Sequence, residues 1–361
     1  MPAPFDVLVL DAHLRQSLVA VRALGRRGLS VAALAPSDAA PAFSSRWCRA
    51  RFVCPAPEGS DAYAAYLEDV LAAPGARVVL PAADGTVAAL RRHRARLQTR
   101  TRLAIAGEAA LGLAVDTERT LAVARRLGIA VPPTCRLRTA ADLGGALAQI
   151  GLPAVIKPSE SWLTCGGRGV RIGPRLVTTP QEARRAAGEV TRLGGLGLYQ
   201  PLLSGRREAV SLLYAGGRVH ARFAQWAGAT EPPDIGEQAE RLVRVVDLEG
   251  YSDVEFRRDE RGTPYLMEIT PRLSARLETA VRANVDFPHL LYQWACGGDL
   301  TPTPPVRGPL GFGASFFRSL SNDSVDWTDP RPALEATRRF AHDWMHAALG
   351  KRLGWPRRSP A

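Results

Sequence analysis

The stretch 265–275, YLMEITPRLSA, alternates polar and apolar positions inside a largely apolar region. Side chains of a β-strand point to opposite faces with a period of two residues. The pattern therefore predicts Met267 and Ile269 on a core face. The residues predicted on the opposite face are Leu266, Glu268 and Thr270. Pro271 ends the strand because it cannot donate to a ladder. The carboxylate of Glu268 and the hydroxyl of Thr270 are polar groups in an apolar region and need partners.

A second strand-like run, 254–257, precedes this strand, and the turn-rich spacer DERGTP separates the two. This arrangement predicts a β-hairpin, and a loop over 259–264 places Glu255 directly opposite Glu268. Two carboxylates about 4 Å apart repel by about 4 kcal/mol at an effective dielectric constant of about 20. A shared proton or a cation such as Mg²⁺ would offset the repulsion. The alternative is an edge hairpin whose acids are solvated.

The first part of the chain alternates strand-like and helix-like segments, which predicts a parallel sheet with helices on both faces. The predicted strands are 6–10, 29–34, 78–80 and 103–106, and the predicted helices are 14–27, 63–71 and 86–97. The first turn, DAHLRQS, contains no glycine, so the fingerprint of a dinucleotide-binding fold is absent.

A second unit begins near Asp116. Its predicted helices are 117–128, 139–150 and 179–194, and its predicted strands are 152–157, 197–200, 210–214 and 218–224. The later two helices open with TAAD and TPQE, which are similar to capping boxes. Beyond about residue 301 the chain is rich in proline, with a helical pattern at 332–349.

Composition and charge bear on whether the protein binds nucleic acid. The 361 residues carry a formal net charge of +12, yet the only lysines among the 47 basic residues are Lys157 and Lys351. The densest basic patch, 91–102, lacks the aromatic residues that stack on bases and matches no nucleic-acid motif. We therefore expect no nucleic-acid partner. Because the chain otherwise uses arginine, position 157 is predicted to require lysine.

The five scattered cysteines show no CxxC or Cys/His spacing, which favours free thiols over a zinc site. No apolar run approaches the ~18 residues of a membrane span, and the N-terminus lacks the basic region and cleavage site of a signal peptide. We expect a cytoplasmic protein without a membrane partner.

A lysine at the end of a strand is followed, nine residues later, by a glycine-rich loop. Lys157 would supply a positive charge, and consecutive backbone amides of the loop would form an anion nest for phosphate. The loop residues are Gly166, Gly167, Arg168 and Gly169. The loop lacks the Walker pattern, and an ordinary hairpin turn also explains it.

The segment LYQPLLSG (198–205) runs from a strand into a proline, where regular pairing stops. Its backbone groups can meet an adenine edge, and the carboxylate of Glu208 can accept from ribose hydroxyls. The candidate residues for such contacts are Gln200, Pro201, Leu202 and Leu203. A strand that simply ends at a proline is the alternative. Arg272, just beyond the acids, can grip an acyl phosphate or a carboxylate with two parallel hydrogen bonds.

The order and spacing of these features resemble the ATP-grasp superfamily, in its carboxylate–amine ligase branch. The resemblance covers about 116–297, and its most specific motif is VEFRRDERGTPYLMEITPR (254–272). LETAVRANVDFPHLL (277–291) is similar to the helix that follows this motif in many members. The resemblance implies an α/β fold, α+β in part: an N-terminal parallel-sheet pre-ATP-grasp domain, a two-subdomain ATP-grasp fold and a short C-terminal tail. The implied domain bounds are 1–115, 116–300 (lid 127–200, metal-binding subdomain 201–300) and 301–361.

The resemblance also implies roles. Lys157 and the 166–169 loop would hold the phosphates of ATP, segment 200–203 the adenine, and Glu208 the ribose. Glu255 and Glu268 would bind Mg²⁺, for which Mn²⁺ is a possible substitute, and Arg272 would stabilise an acyl phosphate. Two positions depart from the family: Thr270 replaces the usual asparagine, and Thr117 replaces a lysine on the opening helix. Both departures bear on ATP and metal binding.

The expected function is ATP-dependent ligation, in which a carboxylate is activated as an acyl phosphate and an amine attacks it. The expected partners are a small carboxylic acid and a small amine, amino acids among them, and a homo-oligomer is compatible. Arg276 is a candidate reader of a substrate carboxylate, with a surface arginine as the alternative. The alternatives for function are a carboxylase-like enzyme that uses bicarbonate and a degenerate, non-catalytic nucleotide-binding protein.

Overall fold

The computed structural model of the chain describes residues 4–165, 168–226, 235–300, 306–309, 329, 331–332 and 335. Gly166, Gly167 and nearly all of the helix predicted at 332–349 lie outside the described residues. Among the described residues, no helix combines the length and the apolar character that crossing a membrane requires.

The strands of the described chain form three larger sheets and one small hairpin. They are β1 (Phe5–Val9), β2 (Val31–Ala35), β3 (Cys48–Val53), β4 (Ala76–Leu80), β5 (Arg102–Leu103), β6 (Cys135–Leu137), β7 (Ala154–Pro158), β8 (Trp162–Cys165), β9 (Arg168–Arg171), β10 (Arg175–Val177), β11 (Gly197–Pro201), β12 (Arg207–Ala215), β13 (Arg218–Trp226), β14 (Gly250–Arg258), β15 (Pro264–Thr270) and β16 (Val306–Pro309).

The α-helices of the described chain lie between these strands. They are α1 (Arg15–Arg26), α2 (Asp61–Ala72), α3 (Asp84–Arg92), α4 (Arg94–Leu97), α5 (Glu108–Ala114), α6 (Thr117–Arg126), α7 (Leu143–Ile150), α8 (Pro180–Arg192), α9 (Ile235–Val246), α10 (Leu277–Arg282) and α11 (Phe287–Ala295), with short 3₁₀ turns at Pro41–Ser44 and Ala140–Asp142.

The N-terminal sheet is parallel, as the alternating pattern predicted, with the strand order β3-β2-β1-β4-β5. Strand β2 is buried throughout and β4 at every position but Arg77, as expected for a parallel sheet with helices on both faces. Strand β3 was not predicted. Its exposed positions carry Arg49 and Arg51, so the segment lacks the apolar run that marks the other strands of this sheet. The helix predicted at 86–97 is two helices that break at His93.

The second sheet, in the segment predicted as the lid, is antiparallel with the order β10-β7-β11-β6, and α7 and α8 pack against it. Both predicted capping boxes are confirmed. Thr139 pairs with Asp142, and Thr179 pairs with Glu182 at the start of α8. A separate hairpin, β8–β9, carries the flank of the glycine-rich loop.

The third sheet has the order β15-β14-β12-β13-β16. The predicted hairpin around AGG joins β12 to β13, and Gly216 and Gly217 adopt the positive φ angles of 53° and 76° that its turn requires. Strand β16 comes from the proline-rich extension, where the sequence predicted only a helix, and it pairs in parallel with β13.

Strict alternation in β15 proved wrong. Leu266 and Ile269 both join the main core, although the pattern placed them on opposite faces. The cause is a β-bulge: Glu255 pairs with Glu268, and the next residue, Phe256, pairs with Leu266, so Met267 has no cross-strand partner. One extra residue in a strand reverses the alternation beyond it.

The C-terminal segment also docks on the N-terminal domain through Asp329, whose side chain is fully buried. Its carboxylate accepts from Arg22 Nε at 3.1 Å, from the backbone N–H of Arg46 at 2.9 Å and from the hydroxyl of Ser45. Burial alone would raise the pKa of Asp329, but these bonds lower it. The buried charges of Arg22 and Asp329 therefore compensate each other.

Candidate active site

A cavity of about 140 Å³ lies where the lid, the N-terminal domain and strand β15 meet. Four of the predicted site residues line it together. They are Lys157 and, from the end of β15 and just beyond it, Glu268, Thr270 and Arg272. Thr117, the position of the second departure from the family, lines it as well. The segments that supply these groups are therefore brought to one place by the tertiary fold.

The two predicted metal acids face each other as expected, since Glu255 is paired with Glu268 across β14 and β15. Burial raises the pKa of Glu268, and Lys157 partly opposes the shift while Glu255 adds to it. The alternative of solvated edge acids does not fit, because Glu268 faces a cavity and Glu255 is ion-paired. Arg207 Nη2 lies 2.8 Å from Glu255 Oε1, and Arg276 donates to its other oxygen.

Lys157 is the last residue but one of β7 and is buried, with 6% of its surface exposed. Its Nζ donates to the backbone carbonyl of Met267 at 2.9 Å. That carbonyl belongs to the bulged residue, so the break in the ladder creates the acceptor. Burial lowers the pKa of Lys157, while Glu268 and Glu255 oppose the shift. The bulge thus holds the ammonium beside the two acids.

Arg272 contacts a carboxylate that the sequence did not single out. Its Nε lies 2.6 Å from Oδ1 of Asp84, the first residue of α3, and its Nη1 donates to the carbonyl of Ala82 at 3.2 Å. Arg171 from the lid pairs with Oδ2 of the same acid at 3.3 Å. Burial would raise the pKa of Asp84, but Arg272, Ser161 and Arg171 together lower it.

Arg276 is partly buried, with 22% of its side chain exposed, which disfavours the alternative of a surface arginine; its contact with a substrate stays a prediction. Its Nη1 lies 3.2 Å from Oδ2 of Asp253, and its Nη2 binds Glu255. Asp253 is buried, is paired with Thr270 across the hairpin and accepts from the Ser211 hydroxyl at 2.9 Å. Burial would lower the pKa of Arg276, but the two carboxylates raise it.

The predicted adenine segment lies at the end of β11 with several of its polar groups already paired. The N–H of Leu202 donates to Pro153 O at 3.2 Å, and Leu203 O accepts from Arg257 at 2.9 Å. Gln200 is buried, and its Oε1 has no partner among the described residues. A nucleotide that used these two backbone groups would compete with their existing bonds, whereas the Gln200 amide oxygen would not have to give up a partner in the described chain.

Glu208, predicted to meet the ribose, is fully buried, and its carboxylate binds Arg258 through two bonds of 2.9 Å and Arg206 through one of 2.9 Å. A ribose contact requires these ion pairs to rearrange, so the role stays a prediction. The side chain of Arg168 and the residues Gly166 and Gly167 fall outside the description, while Gly169 packs against the indole of Trp162.

Two site residues were missed from the sequence, and each had a signal. Asp253 stands two residues before Glu255, so period two places both acids on one face. Asp84 follows the end of strand β4 in a parallel sheet, where ligand-binding residues gather. Neither signal showed that Asp84 would meet an arginine 188 residues away.

Comparison with known proteins agrees with this geometry. A family model described as ATP-grasp in the biosynthetic pathway with Ter operon matches residues 208–310. A D-alanine–D-alanine ligase from Alkalilimnicola ehrlichii is 28% identical over 218 residues, which cover 52% of this chain and 67% of that ligase. These matches show a likeness to proteins of the ATP-grasp superfamily. The matches to two further D-alanine–D-alanine ligases span only 57% and 59% of their lengths.

Solved structures support the ATP-grasp fold. The biotin carboxylase domain of Hydrogenobacter thermophilus 2-oxoglutarate carboxylase, in a complex with MgADP and bicarbonate, superposes with a TM-score of 0.63 at 19% identity, covering 82% of this chain and 70% of that one. The L-amino acid ligase from Bacillus licheniformis gives a TM-score of 0.61 at 16% identity, covering 84% of this chain and 79% of that one.

The carboxylate and hydroxyl oxygens of this candidate site suit a magnesium ion whose remaining ligands are phosphate oxygens. Within the described residues, no three His, Cys, Asp or Glu side chains are grouped to hold a metal by themselves. Mg²⁺ in phosphoryl-transfer sites takes one or two carboxylates, and phosphates and waters complete its shell. Glu268 and the Thr270 hydroxyl line the cavity and fit that requirement. Glu255 is paired with Glu268, but its two oxygens bind Arg207 and Arg276, so an arginine must give way before Glu255 can hold the ion.

Proposed function

We propose that this protein is an ADP-forming ligase that activates a carboxylate as an acyl phosphate and joins it to an amine. One observation carries the proposal. Lys157, Glu268 and Arg272 line one cavity, although Lys157 lies about 110 residues before the hairpin that supplies the other two. Their proposed roles are a phosphate cation, a metal acid and an acyl-phosphate cation. The likeness to D-alanine–D-alanine ligases supports the same reaction class.

In the first step, a carboxylate oxygen attacks the γ-phosphorus of ATP and ADP leaves. Lys157 neutralises phosphate charge from its buried position, and such fixed cations favour charge that develops in the transition state. Mg²⁺, when held by Glu255, Glu268 and Thr270, would screen the phosphate oxygens; Mn²⁺ is a candidate substitute. ATP would be bound by these groups, the 166–169 loop, the 200–203 segment and Glu208.

In the second step, the amine nitrogen attacks the acyl carbon, the C–N bond forms, and phosphate leaves with the electrons of the C–O bond. The amine's excess protons pass to phosphate and solvent. Arg272 is placed to hold the acyl phosphate with its guanidinium, and Asp84 fixes the direction of that group. Arg171 and Trp162 close the lid side of the cavity, which limits hydrolysis of the intermediate by water.

The test is ADP release with Mg-ATP across small acids and amines, supplied singly and in pairs. A ligase releases ADP only with a specific acid–amine pair, and the Glu268→Gln variant loses that release. Release that depends on bicarbonate would select a carboxylase-like enzyme instead. If no pair gives turnover and calorimetry finds no binding of Mg-ATP, the proposal is wrong and the site is degenerate at Thr117 and Thr270.

A further inference from the structure

A second cavity, of about 300 Å³, lies at the carboxyl ends of β1, β2 and β3, and Trp162 forms a wall of both cavities. Ligands of open α/β sheets bind at this edge of the sheet, and the volume is at the lower end of the ~300–1,000 Å³ of small-molecule sites. None of the residues assigned above to phosphate, metal or nucleotide lines this cavity.

The cavity is acidic in a strongly basic protein. Asp11 and Glu58 line it, and among the described lining residues there is no lysine or arginine. The remaining walls are mostly apolar and include Leu34 and Cys54. Asp11 is 2% exposed and has a positive φ of 57°, and Ala82 N and Thr86 Oγ1 each donate to its Oδ2 at 2.8 Å. The strained backbone and these bonds hold the carboxylate in place.

A buried polar group points to a missing ligand. The side chain of Tyr63 is 3% exposed and lines the cavity, and within the described chain its hydroxyl has no hydrogen-bond partner. A buried hydroxyl without a partner costs about 1–3 kcal/mol. An ammonium group can donate to this oxygen and to both carboxylates, because it has three donors and no acceptor.

Trp162 and Glu58 complete the site. A Cβ at Gly85 would lie 2.6 Å from Trp162 Cη2 and 2.6 Å from Glu58 Oε2, so the indole and the carboxylate pack on the same backbone. A cation beside an indole face gains a further favourable interaction. The glycine allows both groups to approach.

We propose that this second cavity binds the primary ammonium group of a small substrate, held by Asp11, Glu58, Tyr63 and Trp162. The inference rests on the proposed function and names where its amine is recognised as the ammonium. Before the nitrogen can attack the acyl carbon it must give up one proton, for which the cavity offers the carboxylates of Asp11 and Glu58 as acceptors. The apolar walls suit a small apolar body on the amine, and the missing basic lining disfavours a free carboxylate inside the cavity.

Glu58 makes the binding depend on pH. Burial and the nearby carboxylates of Asp11 and Asp84 raise its pKa to about 7, while Arg272 and Arg171 oppose the shift. Burial also raises the pKa of Asp11 and of Tyr63. Because a neutral Glu58 binds a cation poorly, affinity for an amine should rise by up to about tenfold between pH 6 and pH 8.

The probes are alaninamide, which has an ammonium and no carboxylate, alanine, and propionamide, which lacks the amine. Calorimetry in the presence of a non-hydrolysable Mg-ATP analogue measures their binding to the full chain. Alaninamide should bind, propionamide should not, and Glu58→Gln and Tyr63→Phe should each weaken alaninamide by at least about fivefold. The exposed Glu237→Gln is a matched control.

If alanine binds and alaninamide does not, or if Glu58→Gln and Tyr63→Phe leave the affinity unchanged, the ammonium site is wrong. Equal binding of propionamide overturns it as well, and so does a failure of alaninamide to bind. Binding of the nucleotide analogue is followed separately, so loss of the ammonium site is distinguished from failure of the ligase proposal.

Discussion

Arg272 Nε lies 2.6 Å from Asp84 Oδ1, and this ion pair joins the end of the metal hairpin to the N-terminal domain. Both side chains are mostly buried, with 14% and 18% of their surfaces exposed. The orientation of Arg272, which we propose to hold the acyl phosphate, is therefore set by Asp84, a residue outside the predicted ATP-grasp domain. Arg171 joins the same acid from the lid, so three parts of the chain meet at Asp84.

Replacing Asp84 by Asn should lower kcat about tenfold while the affinity for Mg-ATP stays within about twofold, because the guanidinium remains but loses its orientation. Arg272→Ala should cost about 10²-fold or more, since it removes a charge that stabilises the transition state. Steady-state ADP release and calorimetry with Mg-ATP measure the two effects. Asp61→Asn, an exposed acid of α2, serves as the control. Equal losses of kcat and ATP affinity would contradict the positioning role of Asp84.

Glu255→Gln and Glu268→Gln should each weaken the Mg²⁺ dependence of nucleotide binding by at least about tenfold, because Mg²⁺ prefers charged oxygen ligands. The measurement is a Mg²⁺ titration at fixed ATP concentration. Glu260→Gln, an exposed acid in the loop of the same hairpin, should leave the titration unchanged. A curve unchanged in both site variants would show that the acids do not hold the ion.

Lys157→Arg should fail to replace lysine although the chain uses arginine almost everywhere else. The site is buried, and the ammonium bonds to a single carbonyl, whereas a guanidinium is larger and needs several acceptors. We expect ATP affinity to fall about tenfold or more in Lys157→Arg and in Lys157→Met, as seen by calorimetry. Wild-type affinity in the arginine variant would show that position 157 needs only a positive charge.

Arg276→Gln should lower the free energy of unfolding by about 3 kcal/mol, because it leaves the buried carboxylate of Asp253 without its cation. The double variant Asp253→Asn/Arg276→Gln should recover most of this loss, since neither partner is then charged. Urea unfolding of the two single variants and the double variant measures the coupling. Additive losses in the double variant would exclude a direct pair.

Glu58→Gln should raise the stability at pH 8 and have little effect near pH 5. The folded pKa of Glu58, about 7, lies above the ordinary value of 4.5. The folded state thus holds more protons than the unfolded chain between these values, and stability falls as pH rises through this window. After allowance for partial exposure, we expect an effect of about 1 kcal/mol. Urea unfolding at both pH values is the measurement, and a gain that is equal at pH 5 and pH 8 would contradict the shift.

Much of the framework and part of the site followed from the sequence alone, because they depend on local patterns. Period two and a turn-rich spacer were enough to pair Glu255 with Glu268. The capping boxes at Thr139 and Thr179 depend on residues three apart, and the parallel N-terminal sheet on alternating strands and helices. The unusual lysine at 157 stood out because the chain otherwise uses arginine.

Only the tertiary structure decided which distant side chains meet. The bulge at Met267, which supplies the carbonyl for Lys157, depends on packing of Leu266 and Ile269 into one core and not on strand periodicity. Asp84 and Arg272 meet from segments 188 residues apart, and the buried hydroxyl of Tyr63 has no hydrogen-bond partner among the described residues. Such contacts depend on residues that are far apart in the sequence, because the packing of the core fixes the position of each charged group. A short window of neighbouring residues does not contain that information.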